Sequence, residues 1–144
     1  MTVFSSAAEM QTYLGRLYDQ AKCDSRIAPN IRASQLVILF RYRDPDAVVT
    51  INASSPPTQP GAMFDVLWHE ENVLKSDIEM SMAADVAHQF WQGKINLMAA
   101  LARKQIVARG PIPKILRLLP AVAPMYDMYP QILRELGRED LVLA

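Results

Sequence analysis

The stretch that most constrains this chain is Asp77 to Met82, where polarity alternates at every residue. Ile78, Met80 and Met82 fall on one side, and Asp77, Glu79 and Ser81 fall on the other. Successive side chains of a strand point to opposite faces. The segment Lys75 to Met82 therefore predicts a strand with one face in water and one in the core. That is the usual state of an antiparallel sheet covered on one side.

Three further strands precede it. Leu36 to Arg43 and Ala47 to Ala53 are rich in β-branched and aromatic residues, and Asp44-Pro45-Asp46 between them reads as a hairpin turn. Ser54 to Gly61 holds three prolines and a glycine and is a loop. Met63 to Trp68 is the third strand, and Glu70-Glu71-Asn72 turns the chain towards the fourth. Ahead of the strands, Ser5 to Ala21 predicts a helix with Met10, Tyr13 or Leu14, Leu17 and Ala21 facing the core. Ser5 or Ser6 caps it, and Glu9 completes a capping box with Ser6.

After Met82 the period lengthens. Ala84 to Gln92 reads as a helix with Val86, Ala87, Phe90 and Trp91 on one side, ended by Gly93. Ile95 to Arg103 is a second short helix, with Leu97, Met98 and Leu101 inward. Gln105 to Ala108 is a short strand, and Gly110-Pro-Ile-Pro113 breaks the pattern. Ile115 to Ala123 and Met125 to Leu136 are helical, separated by Pro124, and Pro130 either kinks or starts the last helix.

The 144 residues suit a single domain, residues 1–144, with 111–144 as a helical tail. With 51% hydrophobic and 21% charged residues, disorder is excluded. Fifteen basic residues balance fifteen acidic ones, which argues against nonspecific nucleic-acid binding. Locally, Val86 to Tyr126 has no Asp or Glu but carries Lys94, Arg103, Lys104, Arg109, Lys114 and Arg117. The single cysteine, Cys23, rules out a disulfide within the monomer. With no secretory signal, no apolar run near the ~20 residues of a membrane span and no peroxisomal ending, the expected location is cytoplasmic.

The segment from Ile78 to Gly110 reads IEMSMAADVAHQFWQGKINLMAALARKQIVARG. A strand leads into a helix ending at Gly93-Lys94, then a short helix at Met98-Ala99-Ala100-Leu101, then the strand Ile106-Val-Ala-Arg-Gly110. This order resembles the sterol carrier protein type 2 domain, and with the preceding helix and four strands the resemblance covers Ser5 to Leu136. Two features depart from the family. Ala102 and Arg103 stand where relatives usually have a glycine, and the tail from Pro111 is broken by prolines where many relatives finish on a simpler helix. The resemblance implies an α+β fold, with a five-stranded, mostly antiparallel sheet covered on one face by helices, and an apolar tunnel for lipids. Family members bind sterols, fatty acyl chains or acyl-CoA, and some bacterial relatives assist ubiquinone synthesis.

No catalytic constellation stands out. His69 beside Glu70 and Glu71 reads as a surface histidine in a turn, because no ligand spacing for a metal surrounds it. His88 reads as a surface partner of Asp85 at i,i+3. Ser81, Asp85 and His88 lack a nucleophile elbow, nothing activates Cys23, and the five glycines form no phosphate loop. Arg32, Arg41 and Arg43 read as a solvated strand end beside Asp44 and Asp46. No metal, cofactor or enzymatic activity is expected.

The second half gathers Met80, Met82, Met98, Met125 and Met128 beside Phe90, Trp91, Tyr126 and Tyr129. Each alone is ordinary core, but together they suit an adaptable apolar pocket. Tyr126 and Tyr129 are candidate polar anchors, with a hydroxyl at the tip of an apolar ring. The expected ligand-binding residues are Met80, Met82, Phe90, Trp91, Met98, Leu101, Leu116, Leu119, Met125, Tyr126 and Tyr129. The expected function is noncovalent binding and carriage or presentation of a fatty acyl, sterol-like or isoprenoid lipid. The alternative is an interaction module with a self-filled cavity, docking on a lipid-metabolism enzyme or a second copy. Ile112 to Met128, apolar with Lys114 and Arg117, caps the core or acts as a lid, and transient contact with a membrane surface is the lesser option.

Overall fold

The computed structural model describes residues 2–69 and 74–144. The turn expected at Glu70-Glu71-Asn72 lies outside the described residues. The chain opens with α1 (Ala7–Ala21), whose first turn is capped by the Ser6 side chain accepting the Glu9 amide at 3.1 Å. The Glu9 carboxylate reaches Ser5 rather than Ser6, at 2.8 Å from its hydroxyl, so the capping box is shifted by one residue. A second helix, α2 (Ala28–Ser34), was not foreseen from the sequence. Pro29 sits in its first turn, where its lack of an N–H costs nothing, and Ala28 and Ile31 are its only buried residues.

The sheet is formed by β1 (Val37–Arg43), β2 (Ala47–Asn52), β3 (Asp65–Trp68), β4 (Ile78–Ala83) and β5 (Ile106–Arg109) in the order β3-β2-β1-β4-β5. It is mostly antiparallel, with one parallel pair between β1 and β4. The inner face aligns Val49, Phe40 and Met80 across β2, β1 and β4, with Ile38, Tyr42, Ile51, Ile78, Met82 and Ile106 beside them. β4 shows the alternation in full, with Ile78, Met80 and Met82 buried and the residues between them half-buried.

The outer face is less uniform than alternation predicts. Arg41, Glu79 and Arg109 line up there, with Glu79 2.8 Å from Arg41 and 3.8 Å from Arg109. Val37, Leu39 and Thr50 point the same way yet are buried. The Asp77 carboxylate accepts the Val37 amide at 2.9 Å, fixing the entry to β4 beside the start of β1.

The helices of the second half are α3 (Ala84–Phe90), α4 (Leu97–Ala102), α5 (Ile112–Val122) and α6 (Met125–Glu135), followed by a 3-10 turn at Glu139–Leu141. Pro120 and Pro130 both lie inside helices, so neither marks a helix end. The left-handed position between α4 and β5 falls at Lys104, with φ +60°. A glycine would take this conformation without strain, whereas lysine takes it at a cost. Gly110 closes β5 at φ +113°, and a Cβ there would stand 2.5 Å from the Asp77 carbonyl oxygen. One apolar cluster joins α1, the inner sheet face and the second-half helices.

Candidate functional site

An apolar cavity of about 90 Å3 lies within that cluster. α1 contributes Tyr18 and Ala21, and α2 with its approach contributes Ile27 and Ile31. The sheet floor is Ile38, Phe40, Ile51, Ile78, Met80, Met82 and Ile106, to which Phe64 is added before β3. The rest of the wall is Phe90, Trp91, Leu97, Ile115, Leu118, Leu119, Val122 and Met125. Inward residues of four adjacent strands thus form one surface, because β4 pairs in parallel with β1, in register with β2, and antiparallel with β5.

Of the residues expected to bind ligand, Met80, Met82, Phe90, Trp91, Leu119 and Met125 are brought together on this wall. Met98, Leu101, Leu116, Tyr126 and Tyr129 are not. Met98 is 56% exposed, because the six-residue helix α4 turns Leu97 and Ala100 inward instead. Leu101, Leu116 and Tyr126 pack half-buried against the core outside the cavity. Tyr129 is fully buried, but its hydroxyl is bonded to His88 Nδ1 at 2.8 Å. Met128, which entered the same argument, is buried away from the wall.

The first half of the chain supplies much of the wall that the sequence reading missed. The methionine and aromatic enrichment drew attention to residues after Ile78. The usable signal was the alternation Ile38, Phe40, Tyr42 and Val49, Ile51, which puts the same kind of inner face on β1 and β2.

The polar atoms at the cavity belong to an aromatic group. Trp91 Nε1 donates to the Tyr18 hydroxyl at 3.1 Å, and the hydroxyls of Tyr18 and Tyr42 are hydrogen-bonded to each other. Phe40 lies stacked between Tyr18 and Tyr42, with interplanar angles of 9° and 10°. Burial pushes both phenols well above their ordinary pKa, so both stay protonated.

His88 is not a surface residue but is 1% exposed. Its Nδ1 faces the Tyr129 hydroxyl and its Nε2 faces the Leu141 carbonyl at 2.9 Å. Nε2 also stands 3.0 Å from the Gln92 amide nitrogen, so Tyr129 holds the ring on one side and Leu141 and Gln92 hold it on the other. Gln92 completes the clasp by donating to Leu141 O at 3.2 Å and accepting the Leu143 amide at 2.8 Å. Burial lowers the His88 pKa, while Asp85 accepts the Val3 amide at 2.8 Å rather than pairing at the surface. This arrangement ties the tail to α3 and offers no nucleophile. His69 is exposed and contacts Gln11 at 3.0 Å.

Arg32 is spent on the Ala53 and Ser55 carbonyls, and Cys23 is exposed as a free thiol. Among the described residues, no group of three His, Cys, Asp or Glu side chains could hold a metal ion, and no helix is long and apolar enough to cross a membrane.

No family model matches the sequence, and no curated protein is significantly similar to it. Solved structures are similar in fold. Apo sterol carrier protein 2 from Yarrowia lipolytica aligns at TM-score 0.55 and 15% identity, covering 90% of this chain and 93% of that one. Sterol carrier protein domain 2 of Helicoverpa armigera aligns at TM-score 0.59 and 16% identity, covering 81% and 87%. The ubiquinone synthesis protein UbiJ-SCP2 aligns at TM-score 0.56 and 13% identity, covering 86% and 96%. Over most of its length the chain therefore has the fold of the sterol carrier protein 2 domains, which its sequence resembles.

Proposed function

We propose that the protein binds a hydrophobic ligand noncovalently and carries or presents it, without a catalytic step. The observation that carries this reading is an almost wholly apolar cavity framed by the inner sheet face and by helices. Burial of each methylene there contributes about 0.8 kcal/mol before ordering costs. The neighbours in fold include two sterol carrier proteins and a protein of ubiquinone synthesis, which supports a sterol-like, acyl or isoprenoid ligand.

At about 90 Å3 the cavity is well short of the ~300–1,000 Å3 of a typical ligand pocket, so the lipid enters by displacing part of the wall. The part of the wall proposed to yield is α5, within the tail of residues 111–144. Only Ile115 of α5 is buried, while Leu118, Leu119 and Val122 reach the cavity from half-exposed positions. The proposed ligand wall is Met80, Met82, Phe90, Trp91, Leu119 and Met125 together with the first-half residues around Tyr18. The carrier works in the cytoplasm and meets membranes only transiently. Native mass spectrometry of the purified protein tests the reading. A bound lipid, displaceable by a fluorescent fatty acid, is the expected result, and a protein that neither carries nor accepts lipid overturns it.

The small empty volume favours one second reading, an accessory module whose cavity is filled by its own side chains. It would dock on a lipid-metabolism enzyme or a second copy through the half-exposed apolar residues of α5. Sedimentation as a strict monomer with no co-purifying enzyme counts against it.

A further inference from the structure

The cavity wall contains two side chains with hydrogen-bonding groups, Tyr18 and Trp91. They belong to the trio with Tyr42, and the trio is not balanced. Each member carries one donor hydrogen. Two bonds are made, Trp91 to Tyr18 and one between the tyrosine hydroxyls. One hydroxyl hydrogen is therefore left without an acceptor among the described residues, although Tyr18 and Tyr42 are each only 2% exposed. A buried donor without an acceptor is costly, so a native site of this kind calls for a partner.

Either tyrosine hydroxyl can donate to the other, and the direction decides which hydrogen is free at the cavity. Tyr18 accepts from Trp91 at one lone pair. When Tyr42 donates to the other, Tyr18 is saturated as an acceptor and its own hydrogen is free. Tyr18 lines the cavity and Tyr42 does not. The exposure gradient marks this as the deep end, because Leu118, Leu119 and Val122 are half-exposed while Tyr18 is buried.

We infer that Tyr18 is a specificity-determining donor for a lipid carrying a neutral carbonyl oxygen, of the ester or ketone class, at the end lodged deepest in the cavity. This rests on the lipid-binding reading above and sharpens it. An alcohol satisfies the donor less well, since its own hydrogen finds no acceptor at the saturated Tyr18 oxygen. An ionised carboxylate is excluded from that end, because no Lys, Arg or His lies on the wall to offset its desolvation. An alkane leaves the donor unmet.

The test is displacement of a fluorescent fatty acid by a long-chain methyl ketone and by the alkane of equal length. It uses the full chain and the variants Trp91→Phe, Tyr18→Phe/Trp91→Phe and Tyr42→Phe, because Tyr18→Phe alone would free the Trp91 N–H on the same wall. In the unaltered protein the ketone is expected to bind about tenfold more tightly than the alkane, the size of one well-made hydrogen bond. Trp91→Phe keeps the preference and Tyr18→Phe/Trp91→Phe brings the ratio close to one without weakening the alkane, which also shows that the variant is folded. Tyr42→Phe keeps the preference, because the Tyr18 hydrogen stays free. The carbonyl stretch of the bound ketone moves to lower wavenumber in the unaltered protein and in Trp91→Phe, and not in Tyr18→Phe/Trp91→Phe. A ratio near one in the unaltered protein, a preference lost in Trp91→Phe, or one that survives Tyr18→Phe/Trp91→Phe, overturns the inference while leaving lipid binding intact. Failure of every ligand to bind overturns both.

Discussion

Gly110 and His88 show what single residues do in this fold. Gly110 combines a backbone angle closed to L side chains with a 2.5 Å approach to the Asp77 carbonyl. Gly110→Ala is expected to lose about 2–3 kcal/mol of stability, read as a lowered urea midpoint at unchanged slope. The glycine was visible in the sequence as the end of a strand, but the contact that requires it spans thirty-three positions and was not. His88 was hidden for the same reason. Asp85 three residues earlier suggested a surface pair, whereas its partners Tyr129 and Leu141 lie far downstream. Because burial lowers its folded pKa below the unfolded value of 6.5, the unfolded chain binds the proton first as pH falls. The contribution of His88 is thus complete above pH 6.5 and declines as pH drops below it. Urea unfolding at pH 7.5 and 5.5 should show a larger loss for the unaltered protein than for His88→Gln, and equal losses would contradict the assignment.

At the scale of elements, β4 was legible because one face is buried and the other is not, which leaves a period of two in the sequence. The third strand was read two residues too long at its start. Met63 and Phe64 precede β3, and Phe64 still turns into the cavity. α2 escaped notice because seven residues with two buried positions leave too short a pattern to resolve. For α5 the sequence left cap and lid open, and the structure shows an apolar helix with one buried residue, Ile115, whose other apolar residues pack half-buried on the core. Such a helix can be altered on its cavity side with little effect on the core. Leu119→Asp should weaken binding of a fluorescent fatty acid at least about tenfold while costing only about 1 kcal/mol of stability. An unchanged affinity measured by direct titration would remove α5 from the entry route.

Over the whole molecule, the order of elements was readable and the composition of the cavity only half so. Strand order depends on the parallel pairing of β1 with β4, a contact between residues forty apart that no local pattern encodes. That pairing sets Phe40 beside Met80 and brings Tyr18, Ala21 and Ile31 over the same floor. Six of the expected residues reached the wall because they face inward on elements whose period was clear. Met98 and Tyr129 did not, because residue type alone does not fix direction or hydrogen-bond partners. In the proposed function, the empty space between α1 and the sheet is where a lipid goes. Ala21 is 1% exposed and lines that space, so Ala21→Leu fills part of it without adding a polar group. The direct measurement is a fluorescent fatty-acid titration of the unaltered protein and Ala21→Leu, both shown folded by thermal unfolding. A loss of affinity of about tenfold or more in Ala21→Leu is the predicted result, and equal affinity in the two proteins would place any bound lipid elsewhere.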